Sequence, residues 1–311
     1  MNILIIGAGA YGLALSSLLS EKSKVTVYSS LEEEINNLKK TYKNEKLFPN
    51  ITLPKKVKFI NKIEKEYEII ILALPANIIE QELQKIKNEI KNTPIIIASK
   101  GTYNKKFLYE IVKNIIKSNN IYVLSGPSFA KDVIEKQPIT LTLAGKNNIK
   151  NIFPENITLE YTEDIIGTEI CGTLKNIYAI GSGMLEGMNL SESTKASYLT
   201  KVLNEMKNII INLNGNEKTI LNSCGIGDTI LTCSSINSRN YKLGYMVGKK
   251  ENIEEYIKTT TIEGINSLKE LKQVLNIKKY KIIDTIYNII YNKEPIEKII
   301  EVWLYENRKN K

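Results

Sequence analysis

Two sets of residues in this chain have the types and spacing that chemistry requires. The first is Gly7-Ala8-Gly9-Ala10-Tyr11-Gly12, a G-x-G-x-x-G pattern directly after the apolar run Asn2–Ile6, followed by Leu13, Ala14, Leu18 and Leu19 at helical spacing. In that position the first glycine makes a tight turn and the second lets the backbone approach a pyrophosphate. The third lets helix and strand close together, with the helix N-terminus facing the phosphates. The second set is a series of polar motifs farther on: Ser99-Lys100-Gly101, Ser125-Gly126-Pro127-Ser128, Cys171-Gly172-Thr173-Leu174-Lys175-Asn176, Gly225-Ile226-Gly227-Asp228 and Ser238-Arg239-Asn240. A nicotinamide dinucleotide beside a positioned proton carrier is the equipment of hydride transfer to or from a carbonyl.

Histidine is absent from the chain. That removes Ser-His-Asp and Cys-His catalysis and leaves Lys, Tyr, Asp or Glu to carry the proton of a carbinol/carbonyl interconversion. Lys175 is the candidate, because it follows Gly172 by about one turn in an apolar helical stretch where burial and nearby cations would lower its pKa. Lys100 and the Ser125–Ser128 turn fall at the ends of strand-like runs, where parallel sheets bind their ligands. Each residue also has a local reading. Asp228 and Glu263 can serve helix starts, as can Ser238 and Asn240; Gly126 and Ser128 can be turn residues around Pro127, and Lys100 a surface lysine. The three cysteines, Cys171, Cys224 and Cys233, are odd in number and form no C-x-x-C pair. They read as reduced core thiols of a cytoplasmic protein, with no metal site.

The elements that must position these residues follow from periodicity. Short apolar runs at Asn2–Ile6, Lys24–Tyr28, Glu68–Ala73, Pro94–Ala98 and Ile121–Leu124 alternate with amphipathic stretches, the rhythm of βαβ units and a parallel sheet. Runs at Ile139–Ala144 and Ile157–Tyr161 extend or close that sheet. From about Asp164 the pattern turns to long 3.6-period stretches: Ile165–Met184, Ser193–Leu213, Ser238–Val247, Ile262–Leu275 and Ile282–Tyr291. The predicted fold is α/β, an N-terminal Rossmann-type doubly wound sheet over residues 1–163 followed by an all-α domain over 164–311 with a polar end at Asn307–Lys311.

A length of 311 residues fits two domains, and 42% hydrophobic with 25% charged residues is ordinary globular composition. The net charge of +9 rests almost wholly on lysine, since the only arginines are Arg239 and Arg308. The lysines alternate with glutamates and form no aromatic-interleaved stripe, so the charge reflects compositional bias and nucleic acid is not an expected partner. No apolar run reaches the length of a membrane span. The segment Met1–Ser20 lacks the positive n-region of a signal peptide, and its glycines belong to the fingerprint. At the predicted end of the second strand, where NAD-selective enzymes carry an acid for the ribose 2′-hydroxyl, this chain has Ser29 and Ser30, with Glu32–Glu34 close behind. The hydroxyls admit a 2′-phosphate, so the cofactor reads as NAD or NADP.

Six separated motifs in order give the chain a close resemblance to the bacterial-type NAD(P)-dependent glycerol-3-phosphate dehydrogenase family, from Met1 to about Lys298. They are S-K-G at Ser99–Gly101, S-G-P-S-F-A-K at Ser125–Lys131, L-K-N-I-Y-A-I-G-S-G at Leu174–Gly183, G-I-G-D-T-I-L-T-C at Gly225–Cys233, S-R-N at Ser238–Asn240 and E-G at Glu263–Gly264. The resemblance implies reversible reduction of dihydroxyacetone phosphate to sn-glycerol 3-phosphate, the backbone precursor of phospholipids, by a cytoplasmic enzyme for which a homodimer is admissible. It implies a catalytic role for Lys175 and substrate contacts for Lys100, Gly126, Ser128, Asp228, Ser238, Arg239 and Asn240. Cofactor contacts fall on Gly7, Gly9, Ala10, Tyr11, Gly12, Lys100, Ala130, Arg239 and Glu263. The chain departs from the family pattern at Met188–Ser193, where a glycine-rich turn with Asn is usual before Lys195-Ala196, and at Tyr28-Ser29, where an aromatic-plus-basic pair is usual. A β-hydroxyacid dehydrogenase acting on an unphosphorylated substrate would share the Rossmann start and a lysine without Ser238–Asn240 beside Gly225–Asp228. A non-catalytic dinucleotide sensor would have no use for Lys175 and Arg239 together.

Overall fold

The computed structural model describes residues 1–63, 66–90, 93–146, 149 and 151–304, with side chains through residue 301. Arg308 and the polar end Asn307–Lys311 lie outside the described residues. The chain forms two compact units, Met1–Ser99 with Leu108–Ile165, and Lys100–Phe107 with Ile166–Lys311. The segment 100–107 thus clusters with the second unit although it falls within the stretch 1–163.

With elements numbered along the chain, unit 1 contains β1 (Asn2–Ile6), α1 (Ala10–Leu19), β2 (Lys24–Tyr28), α2 (Glu32–Thr41), β3 (Lys58–Ile60), β4 (Ile69–Leu72), α3 (Ala76–Ile90) and β5 (Ile95–Ile97). After the two short strands β6 (Thr102–Tyr103) and β7 (Lys106–Phe107) it resumes with α4 (Leu108–Ile116), β8 (Ile121–Ser125), α5 (Ala130–Ile134), β9 (Ile139–Ala144) and β10 (Ile157–Thr162). The sheet order is β10-β9-β8-β5-β4-β1-β2-β3. The six strands from β8 to β3 are parallel, and their Ile-rich runs are buried because helices cover both faces of such a sheet. The chain winds outward from β1 to β3, then from β4 to β8. The winding reverses between β1 and β4, the place where open α/β sheets bind ligands beyond their carboxyl ends.

The two outer strands extend the sheet, as expected, and make it mixed. β9 runs antiparallel to β8, and β10 is parallel to β9. The β8–β9 link carries only the five-residue α5, which packs on α1, and lacks the full helix that returns a chain for parallel pairing. Neither β3 nor the β6–β7 hairpin was expected from periodicity. The hairpin turns on Asn104 and Lys105, both with positive φ, the geometry that twists two strands correctly across a two-residue loop.

Unit 2 is helical apart from that hairpin: α6 (Ile165–Gly187), α7 (Glu192–Asn212), a 3-10 turn at Glu217–Leu221, a π turn at Ser223–Gly227, α8 (Asp228–Cys233), α9 (Arg239–Gly248), α10 (Glu254–Thr259), α11 (Glu263–Val274), a 3-10 turn at Ile277–Lys279, α12 (Lys281–Asn292) and α13 (Lys298–Leu304). The long α6 is its spine, with Leu174, Ile177, Tyr178, Ile180 and Met184 buried among α7, α9, α11 and α12. Burying each such side chain stabilises the fold by ~1.5–3 kcal/mol. α6 and α9 cross at backbone distance: a Cβ on Gly183 would lie 2.0 Å from the Tyr241 carbonyl oxygen, and one on Gly244 1.9 Å from that of Ile180. The altered loop 188–193 is short and well tied. Asn189 takes a positive φ, Ser191 caps α7 by accepting from Thr194 N, and Lys195 bonds both Glu186 and Glu192. Among the described residues no helix is long and apolar enough to cross a membrane, and no cluster of His, Cys, Asp and Glu could hold a metal.

Candidate active site

Unit 1 carries the glycine fingerprint between β1 and α1. Gly7 has φ +118°, and a Cβ there would meet the Ala73 carbonyl oxygen, just past β4, at 2.4 Å. A Cβ on Gly12 would lie 2.0 Å from the Gly7 carbonyl oxygen, so both positions exclude a side chain. A Cβ on Gly9, by contrast, would meet no atom within 4 Å beyond its own chain neighbours among the described residues. Gly9 is the N-cap of α1, no side chain caps it, and the first turn has no acid. The result is an open concavity at a helix N-terminus, which fits a dinucleotide pyrophosphate.

Around this concavity the ends of neighbouring strands are tied by side chains. Ser99 Oγ accepts from Leu74 N at 3.0 Å and donates to Leu72 O at 3.2 Å, joining the ends of β4 and β5. Tyr11 Oη and Ser128 Oγ lie 3.0 Å apart, and Ser128 Oγ donates to Gly126 O, where φ is +148°. Gly126 and Ser128 are therefore turn residues, and Ser128 also meets a fingerprint residue. Ala130 opens α5, whose N-terminus has no side-chain cap. Ser125 Oγ is buried, with no hydrogen-bond partner among the described residues.

Unit 2 brings together residues far apart in the chain. Lys175 Nζ, on α6, donates to Asp228 Oδ1 and, at 3.0 Å, to Thr232 Oγ1 on α8. Lys100 Nζ donates to Asp228 Oδ2 at 2.8 Å. The side chain of Asp228 is 0% exposed, that of Lys175 8% and that of Lys100 15%, so two ammonium groups share one carboxylate away from water. Burial lowers the Lys175 pKa to about 8, with Lys100 adding to the fall and Asp228 opposing it. Burial alone would push the Asp228 carboxyl up, but Lys100 and Lys175 outweigh it and the net direction is down. An ammonium has three hydrogens; Asp228 and Thr232 take two from Lys175.

Asp228 is the first residue of α8, whose N-cap is Gly227, so its side chain forms the ion pairs and does not cap the helix. The π turn before it, with Gly225 too close to the Ile220 carbonyl for a Cβ, aims it inward. Asn176 Nδ2 donates to Glu263 Oε2, and Asn240 Nδ2 to Asn176 Oδ1 at 2.9 Å. Asn240 Oδ1 accepts from Gly264 N at 2.8 Å, which closes a bridge joining α6, α9 and α11. Ser238 caps α9, its Oγ accepting from Tyr241 N. Arg239, between these two anchored residues, is exposed, and among the described residues no acid pairs with it. Cys233 lies beside Lys175, but burial pushes its thiol up, so it stays protonated and is no nucleophile. Thr232 and Asn176 join these networks without having stood out in the sequence. Thr232 follows Asp228 by one helical turn, a spacing that could have flagged it; Asn176 directly follows Lys175, a spacing that turns it to another face of α6 and gives no such signal.

Residues 2–151 match the family model described as NAD-dependent glycerol-3-phosphate dehydrogenase N-terminus, and residues 164–301 the one described as its C-terminus. The chain is 33% identical to glycerol-3-phosphate dehydrogenase (NAD(P)+) of Clostridium botulinum, over 99% of this chain and 98% of the relative. It is 34% identical to the protein of the same name from Ehrlichia chaffeensis, over 96% of this chain and 99% of that one. Among solved structures it is similar to glycerol-3-phosphate dehydrogenase of Coxiella burnetii, with a TM-score of 0.89, 25% identity, and coverage of 97% of this chain and 98% of the other.

Proposed function

The chain belongs to the NAD-dependent glycerol-3-phosphate dehydrogenase family, and on that premise we propose that it interconverts dihydroxyacetone phosphate and sn-glycerol 3-phosphate with NAD or NADP. A bound nicotinamide dinucleotide supplies or accepts the hydride at the carbon. The proton at the oxygen must come from the protein, and the observation that carries the proposal is the buried Lys175, held by Asp228 and Thr232 with one ammonium hydrogen left over. That hydrogen goes to the ketone oxygen in reduction, and neutral Lys175 takes the alcohol proton in oxidation. Asp228 fixes the ammonium in place, and Lys100 adds positive charge where oxygen gains negative charge.

The phosphate falls to Arg239, whose guanidinium can grip two oxygens at once. Ser238 and Asn240 support it: the Ser238 hydroxyl still has its hydrogen to donate, and the Asn240 amide keeps one beyond that given to Asn176. Gly126 and Ser128 are further proposed substrate contacts. On unit 1, Gly7, Gly9, Ala10, Tyr11 and Gly12 form the proposed pyrophosphate cradle, with Ala130 at the start of α5. Lys100, Arg239 and Glu263 complete the proposed cofactor contacts. Such an enzyme supplies the phospholipid backbone in the cytoplasm, where its cysteines stay reduced, and a homodimer is an admissible assembly. Incubating purified protein with NADH or NADPH and dihydroxyacetone phosphate, then identifying the product by phosphorus NMR and chiral analysis, tests the reading. The sn-3 phosphomonoester is expected; a different product, or none with either cofactor, would refute it.

A further inference from the structure

We propose that Glu34, held at the carboxyl end of β2 by Ser29, makes this chain selective for NAD(H) over NADP(H). The inference rests on the dinucleotide reading above and assigns a specificity that the glycine fingerprint leaves open.

β2 lies beside β1, and its last residue, Tyr28, accepts a hydrogen bond through its carbonyl from Gly7 N at 2.9 Å, so the strand end abuts the fingerprint. In a Rossmann sheet this end of the second strand faces the adenosine ribose, and an acid about 20 residues past the glycines accepts from its 2′-hydroxyl. The strand end itself bears Ser29, which cannot repel a 2′-phosphate. Yet Ser29 Oγ donates to Glu34 Oε2 at 2.8 Å and accepts from Leu31 N at 3.2 Å, which uses both functions of the hydroxyl and fixes its direction. The carboxylate therefore reaches the strand end from the first turn of α2, 22 residues beyond Gly12. Ser29 is buried and Glu34 half-buried, whereas Glu32 and Glu33 are exposed. Ser29 takes one carboxylate oxygen and leaves Oε1 able to accept from a second donor. A ribose hydroxyl supplies that donor; a 2′-phosphate brings negative charge against a carboxylate that Ser29 holds at the strand end. No Lys or Arg lies between Lys24 and Lys39 to offset it. Lys62, two residues past β3, is exposed and is the competing determinant to test.

Calorimetric titration of NADH and of NADPH into the full chain, without ketone, measures the ratio of dissociation constants directly. Binding of NADH about tenfold or more tighter than NADPH is expected, the span of one charged hydrogen bond. Glu34→Gln should narrow that ratio, mostly by improving NADPH, while Glu33→Gln and Lys62→Gln leave it unchanged. A purely structural role for the Ser29–Glu34 bond, as a staple at the start of α2, would move thermal stability and not the ratio. Equal or tighter NADPH binding by the unaltered chain, or an unchanged ratio in Glu34→Gln, overturns the inference while leaving the dinucleotide site standing. Failure of both dinucleotides to bind would overturn the parent reading, and this one with it.

Discussion

Lys175 and Asp228, 53 residues apart in sequence, meet as a buried ion pair in unit 2, and Lys100 occupies the second oxygen of the same carboxylate. The cluster carries one positive charge in excess of what Asp228 neutralises. Its consequence is a lysine that releases its proton more readily than an exposed one, because burial penalises the ammonium more than the shared carboxylate restores it.

The pH dependence of turnover should therefore have opposite signs in the two directions. Ketone reduction needs Lys175 protonated, so its rate should fall as pH rises through about 8; alcohol oxidation needs it neutral and should rise through the same value. Steady-state profiles of both directions check this. Lys175→Met should lower turnover by roughly 10²–10⁴-fold and abolish the shared inflection, with the fold and dinucleotide binding retained. A variant keeping a tenth or more of the activity would mean another group carries the proton.

Asp228→Asn leaves two ammonium groups facing each other without their counter-charge. Breaking such a buried pair costs about 3–5 kcal/mol, so the melting temperature should drop. The inflection of any residual reduction should move to lower pH, because the contribution that raised the Lys175 pKa is gone. Acid should act on the unaltered protein by the same route. The folded-state pKa of Asp228 lies below its ordinary 3.8, so its stabilisation is present above that value and is lost as pH falls through the lowered one. Thermal melts across the acid range read this directly, and Asp228→Asn should flatten the dependence.

Arg239→Lys keeps the charge and loses the fork. Losing about one charge-assisted hydrogen bond, roughly 1.5–3 kcal/mol, corresponds to about a 10–150-fold fall in kcat/KM for the phosphorylated ketone. Arg308→Lys is the internal control and should be unimpaired. Indistinguishable kinetics of the two variants would remove Arg239 from phosphate binding.

What was legible in the sequence was what acts locally. The run Gly7–Gly12 announces its turn, its close approach and its open helix end within six residues, and the structure has all three. The long helical stretches were readable because α6 and α7 repeat their apolar spacing over many turns. β3 and the β6–β7 hairpin were not, since three-residue and two-residue strands are too short to show a period. Pairings across long separations were also hidden. Lys175, Asp228 and Lys100 stood out separately, but their sharing of one carboxylate exists only once α6, α8 and the hairpin segment are packed. Local capping logic suggested Asp228 as an N-cap, and tertiary pairing overrode it. For Ser238 capping held, because its hydroxyl reaches Tyr241 N within the same turn.

The central claim, a lysine-assisted reduction of a phosphorylated ketone, is tested most directly by comparing dihydroxyacetone phosphate with dihydroxyacetone as substrates for oxidation of NADH or NADPH under identical conditions. The unphosphorylated ketone should suffer in turnover as well as in affinity, because a remote phosphate contributes binding energy that positions the reacting carbonyl. Equal kcat and KM for the two ketones would contradict it.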